Sequence, residues 1–124
     1  MSKLNDVLKE LRGEIGGDMI QITVCGPDGI AIAQETVMPG TDMAEQMTGR
    51  VAMAQAAAVR VTEKLKIGQF EEILATTDKA YILTKAIGDG SYSIFGSFSR
   101  KATLGTVRML MEEYSSKIWD AIPR

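Results

Sequence analysis

Residues 42–65, DMAEQMTGRVAMAQAAAVRVTEKL, decide how this chain is read. Met43, Met47, Val51, Ala54, Ala58, Val61 and Leu65 recur every three or four residues, the spacing that aligns side chains along one face of an α-helix. Between them stand Ala44, Ala52, Ala56 and Ala57, short enough to let a second backbone come close. One apolar stripe is satisfied by packing on the helix's own sheet. A second face of alanines predicts a further packing partner, and the expected one is another copy of the chain. Asp42 followed by Glu45 has the form of a capping box, and Ile67-Gly68 is expected to close the helix.

On the N-terminal side, Leu4, Val7, Leu8, Leu11 and Ile15 form the stripe of a first helix, opened by Ser2 or Asn5 and ended by Gly16-Gly17. Met19 to Cys25 reads as a strand, with Ile20, Ile22 and Val24 to one side and Gln21 and Thr23 to the other. Gly26-Pro27-Asp28-Gly29 is a turn, because proline presets φ and glycine accepts a positive one. Ile30 to Gln34 returns as the paired strand, and 37–41 is a loop broken by Pro39-Gly40.

On the C-terminal side three strands are expected, Phe70–Thr77, Ala80–Ile87 and Ser91–Phe98, joined by Asp78-Lys79 and by Gly88-Asp89-Gly90, both hairpin sequences. A last helix spans Thr103 to Ala121, with Leu104, Val107, Met111, Tyr114, Ile118 and Ile122 on its core face. The chain is thus expected to be one α+β domain, residues 1–124, in the order α-β-β-α-β-β-β-α. The strand at 80–87 is apolar on both parities, which calls for cover on both sheet faces. The long helix is assigned to one face of the five-stranded antiparallel sheet and the two terminal helices to the other. If the strand beginning near Phe70 lies at the sheet's edge, its free backbone groups need a partner, and the same strand of a twin chain supplies one.

Composition narrows the function. A chain of 124 residues with 45% hydrophobic and 24% charged residues is an ordinary folded domain. Its net charge of −2, with no basic run, excludes nucleic acid as the main partner. No apolar segment is long enough to span a membrane and no secretory signal stands at the N-terminus. The single cysteine, Cys25, has no internal partner, which fits a reducing, cytoplasmic setting and a buried thiol. There is no histidine, so the usual general base, the commonest zinc ligand and every His-assisted nucleophile are missing. Glu71-Glu72 and Glu112-Glu113 are sequence neighbours whose side chains diverge, so neither pair forms an acid–base couple. The two glycine turns lie between strands, not at a strand-to-helix junction, and do not cradle phosphate. No catalytic residue, cofactor or metal site is expected. Eight methionines, Met43, Met47, Met109 and Met111 among them, suit either irregular core packing or a pliable docking surface. Arg50 and Arg60, with Gln46, Glu63 and Lys64, sit off the main stripe of the middle helix, where two copies side by side would present a composite polar edge.

The hairpin stretch from Met19 to Ala33, MIQITVCGPDGIAIA, followed by an alanine-rich helix, resembles the N-terminal half of the Roadblock family, named for a dynein light chain. Ala102 to Glu112, ATLGTVRMLME, is similar to the Leu-Gly-x-x-Arg pattern that begins that family's last helix. The resemblance covers the whole chain in the right element order. It implies a five-stranded antiparallel sheet flanked by helices, dimers made by joining sheet edges and packing middle helices, and a role as scaffold or regulator of small Ras-like GTPases, with prokaryotic members beside such GTPases. The family has members that reshape the GTPase without inserting an arginine, so Arg50 is not assigned a catalytic role. The face expected to meet a second copy, a paralogue or the GTPase comprises Gln46, Arg50, Ala54, Gln55, Ala57, Ala58 and Val61, with Ile73 and Ala75 on the edge strand. The alternative readings are a small-ligand sensor, which requires a sizeable cavity beside these small residues, and a purely structural dimerisation module.

Overall fold

A computed structural model describes residues 3–37 and 43–123, with side chains from residue 47 onward in the helix that begins at Met43. The elements are α1 (Lys3–Ile15), β1 (Met19–Cys25), β2 (Ala31–Thr36), α2 (Met43–Leu65), β3 (Glu72–Thr76), β4 (Ala80–Ile87), β5 (Tyr92–Ser99) and α3 (Leu104–Ala121). The five strands form one antiparallel sheet in the order β2-β1-β5-β4-β3, and the element order and fold class are those expected from the sequence. The expected capping box at Asp42 and Glu45 and the loop from residue 38 lie outside the described residues or side chains.

The main core lies between one sheet face and the pair α1 and α3. Leu4, Leu8 and Leu11 from α1 meet Val107, Met111, Tyr114 and Ile118 from α3 over Met19, Ile22, Val24, Leu83, Ile94 and Phe98 of the sheet. Ion pairs fasten the layer's border: Arg12 to Glu35 at 2.5 Å, Lys85 to Glu112 at 2.6 Å and Arg108 to Glu72 at 3.0 Å. The simple alternation expected for β1 is corrected here. Met19 pairs with Phe98 but Gln21 pairs with Ser97, so Ile20 is an extra residue on β1. This bulge returns Met19 and Ile22 to the same face, and both are fully buried, while Ile20 is only half-buried.

The opposite face is mixed. Gln21, Thr23, Thr84, Ser93 and Ser97 share it with Cys25, Ile82, Ala86 and Phe95, and Gln21 bridges Thr23 at 2.7 Å and Ser97 at 3.0 Å. α2 covers this face, and a Cβ placed on Gly29 in the β1–β2 turn would stand 3.6 Å from Ala52. The end of α2 also differs from expectation. Lys66, not a glycine, takes the left-handed conformation at φ 52°, with Lys66 N–H donating to Glu63 O and Ile67 N–H to Thr62 O. That is a Schellman closure carried by a side-chain-bearing residue.

Candidate dimerisation and docking face

The orientation of α2 reverses the expectation for its apolar stripe. The residues turned into the sheet are Thr48, Ala52, Gln55, Val59 and Thr62, with Thr48 and Gln55 buried. Ala54, Val61 and Leu65 of the stripe are exposed, Met53 is 72% exposed, and Met47, Val51 and Ala58 are only half-buried. The surface underneath mixes Thr23, Thr84 and Ser93 with Cys25, Ile82 and Phe95, and the helix face laid on it mixes Thr48, Gln55 and Thr62 with Ala52 and Val59, while Ala54, Val61 and Leu65 stay exposed. The outward stripe runs along a helix of 23 residues as one apolar surface, unlike scattered exposed side chains.

Of the nine residues expected on this surface, Arg50, Ala54, Ala57 and Val61 stand exposed on α2. Ala58 is half-buried on its flank, and the side chain of Gln46 lies outside those described. Gln55 is a correction: it faces the sheet at 8% exposure, because its helical position is continuous with Thr48 and Thr62. Met53, Leu65 and Ile67 are strongly exposed as well and were not among the nine.

The sheet edge β3 is the second component. Ala86 N–H donates to Glu71 O and Thr77 N–H to Ala80 O, so the odd-numbered residues spend their backbone groups on β4. Glu72, Leu74 and Thr76 therefore present N–H and C=O outward, alongside the expected pair Ile73, half-buried, and Ala75, exposed. The sequence carried a usable signal for this parity. A two-residue turn at Asp78-Lys79 makes Thr77 and Ala80 the hydrogen-bonded closing pair, which fixes every rung behind it. Glu72 is held over the α3 side by Arg108 at 3.0 Å.

An open cleft of about 650 Å³ lies where β4 ends, between α2, the segment 68–71 and α3. Gln55 lines it, and its Oε1 is buried with no hydrogen-bond partner among the described residues. Glu63, Glu71, Asp89 and Glu112 border it; the cation among its described lining residues, Lys85, is already bound to Glu112. Among the described residues no group of acidic or cysteine side chains is arranged to hold a metal ion, and no helix is long and apolar enough to cross a membrane.

The Roadblock/LC7 domain matches residues 7–92 of the chain. No curated protein matches its sequence. Among solved structures, Myxococcus xanthus MglB superposes with a TM-score of 0.85 at 17% identity, over 98% of this chain and 98% of that one. The gliding protein MglB of Thermus thermophilus gives 0.83 at 18% identity, over 96% of this chain and 87% of that one. A structure described as MglB with tetrameric arrangement gives 0.83 at 17% identity, over 97% and 90% of the two chains. At these identities the likeness is one of fold.

Proposed function

Since the chain belongs to the Roadblock/LC7 domain family, we propose that it is a dimeric adaptor without an active site of its own, whose paired α2 helices dock a small Ras-like GTPase and modulate its nucleotide cycle or placement. The observation that carries this reading is the inverted α2. A single copy buries Thr48 and Gln55 and leaves Met53, Val61 and Leu65 in water. A second copy removes that apolar surface from solvent, and alanines at 54 and 57 permit close approach of the helices. The free rungs of β3 support the same association, since an unprotected sheet edge is a template for another strand.

Arg50, Arg60 and Lys64 then lie beside the helix seam, where cations twice repeated by symmetry suit an acidic docking patch. Light scattering on the purified protein tests the first half: molar mass is expected at twice the chain's 13.5 kDa across the micromolar range. A single-chain mass would remove the reading. The second half is tested by biolayer interferometry against the source organism's small Ras-like GTPases, loaded with GDP or a GTP analogue. Binding that depends on the nucleotide and is lost in Arg50→Glu is expected; a dimer that binds none of them in either state refutes the GTPase assignment.

A further inference from the structure

The cleft between α2, the segment 68–71 and α3 has no part in the helix pairing or the docking of a GTPase, and it carries two independent marks of a ligand. The first is Gln55. It lines the cleft at 8% exposure, and its Oε1 has no donor among the described residues. An acceptor taken out of water without a donor is unfavourable, and a donor arriving through the cleft repairs it. The second mark is charge. Glu63, Glu71, Asp89 and Glu112 line the cleft, against one ammonium among its described lining residues, that of Lys85. Glu112 holds Lys85 at 2.6 Å, and Asp89 accepts from the N–H and the hydroxyl of Ser91. Glu63 and Glu71 are exposed and form no ion pair among the described residues.

The spacing of these groups narrows the ligand. Gln55 and Glu63 are separated by just over two turns of α2, about 12 Å along its axis, and Glu71 stands on the segment that leads into β3. Between them the lining is apolar: Val59 and Phe70 are half-buried and Ile87 is buried. A volume of about 650 Å³ is that of a small-molecule site. A metal ion needs its ligands gathered at one point, and among the described residues no acidic group is so arranged. A single ammonium would meet one carboxylate and leave the other. A chain of several N–H-bearing cations joined by methylenes meets the oxygen, both carboxylates and the apolar middle together.

We propose that this cleft binds a linear aliphatic polyamine: one of its N–H groups donates to Gln55 Oε1, its other ammonium groups pair with Glu63 and Glu71, and its methylenes lie on Val59, Phe70 and Ile87. The last torsion of a glutamine side chain is broad, so a small rotation brings Oε1 to the cleft surface. Gln55 supplies the selectivity. The carboxylates attract any cation, whereas the oxygen gains a bond only from one that carries N–H.

Isothermal titration calorimetry of the purified chain with spermidine, at about 0.15 M salt, reads the site. Saturable binding of one spermidine per chain is expected, and heats that never saturate overturn the proposal. Hexamethonium, an aliphatic dication without N–H, separates the hydrogen bond from the charge. Gln55→Met is expected to weaken spermidine about tenfold and to leave hexamethonium unchanged, whereas Glu71→Gln weakens both about threefold. Equal loss of the two ligands in Gln55→Met, or loss of neither, overturns the site. Asp78→Asn removes an exposed carboxylate at the far end of β3 and is expected to change neither ligand. A loss there as large as in Glu71→Gln means diffuse attraction to an acidic protein and also overturns the site. Should Gln55→Met fail to fold, the side-chain amide resonances of Gln55 in the wild-type protein carry the test: they are expected to shift with spermidine and not with hexamethonium, and equal shifts or none refute the contact. The titration requires neither a dimer nor a GTPase, so its failure leaves the adaptor reading standing, and a monomeric protein that binds spermidine removes that reading alone.

Discussion

Proline at position 76 separates edge pairing from folding. Thr76 is exposed, and its N–H points away from β4, so Thr76→Pro removes no hydrogen bond within the chain. Edge strands accept proline where the missing N–H faces outward, and the residue before it, Ala75, is already extended. The cost to the isolated fold is the loss of a β-branched residue, at most about 1 kcal/mol. In the dimer the consequence is larger. Each copy loses the bond from residue 76 to the partner strand, and the proline ring occupies the space into which the partner's carbonyl must come. Two hydrogen bonds at about 1 kcal/mol each, with some added steric cost, give roughly 2–3 kcal/mol, or about 30- to 150-fold in Kd. Sedimentation velocity over a concentration series measures it, with circular dichroism confirming the fold. Ala75→Pro is the matched contrast: it deletes a rung to Ile82 and is expected to destabilise the chain itself. A folded Thr76→Pro protein with a dimer Kd within about threefold of wild type, well short of that estimate, would refute pairing through β3 in any register that engages Thr76.

Other consequences are local. Gly88 has φ 60° in the β4–β5 turn, and a Cβ there would overlap the Trp119 indole; Gly88→Ala is expected to cost about 2–3 kcal/mol. Gly90→Ala, with φ 90° and no neighbour in reach, is expected to cost only the backbone strain of about 1 kcal/mol, and equal melting temperatures for the two variants would contradict the packing argument. Lys66→Gly relieves the left-handed strain at the α2 closure and is expected to stabilise by roughly 0.5–1 kcal/mol in urea titrations; a lower midpoint would refute the Schellman assignment. Burial pushes the Cys25 thiol up despite the hydrogen bond from Ser93, with the Asp28 carboxylate nearby adding to the rise. At mildly alkaline pH it therefore holds less thiolate than free cysteine, and aromatic disulfide reagents are expected to label it only as fast as the chain opens, so complete labelling of the native protein within seconds would contradict this. Gln55→Met replaces an unpartnered buried oxygen and is expected to be neutral or to stabilise by about 1 kcal/mol; a clear loss of stability would reveal a donor for that oxygen.

Much of the architecture was legible because periodicity and turn chemistry act locally. The stripe Leu4, Leu8, Leu11 and the stripe Val107, Met111, Tyr114, Ile118 both enter the core as their spacing requires. Asp78-Lys79 closes β3 on β4 as a two-residue turn. The bulge at Ile20 was not legible, because it is imposed by β5 pairing from across the chain rather than by the Met19–Cys25 stretch itself. The Lys66 closure was hidden for the opposite reason: glycine at 68 is the stronger local signal, yet the helix hydrogen bonds run out two residues earlier.

The orientation of α2 shows what a helical wheel omits. The sequence places two faces on this helix, one lined by Met47, Ala54, Val61 and Leu65 and one lined by Thr48, Gln55 and Thr62. Hydrophobicity alone ranks the first as the core face. That ranking holds only where the opposing surface is apolar, and here β1, β4 and β5 present Thr23, Thr84 and Ser93, all buried. Those residues looked like the solvent side of an amphipathic sheet when each strand was read singly. Once they are covered, a helix face carrying Thr48 and Thr62 is laid on them rather than the more apolar stripe, at the cost of leaving Gln55 Oε1 without a partner among the described residues. The apolar stripe is thereby released to the outside, where only association can bury it. The partly polar underside that misleads a one-chain reading of α2 thus goes with a stripe, Ala54, Val61 and Leu65, left in solvent, which is what the proposed dimer would cover.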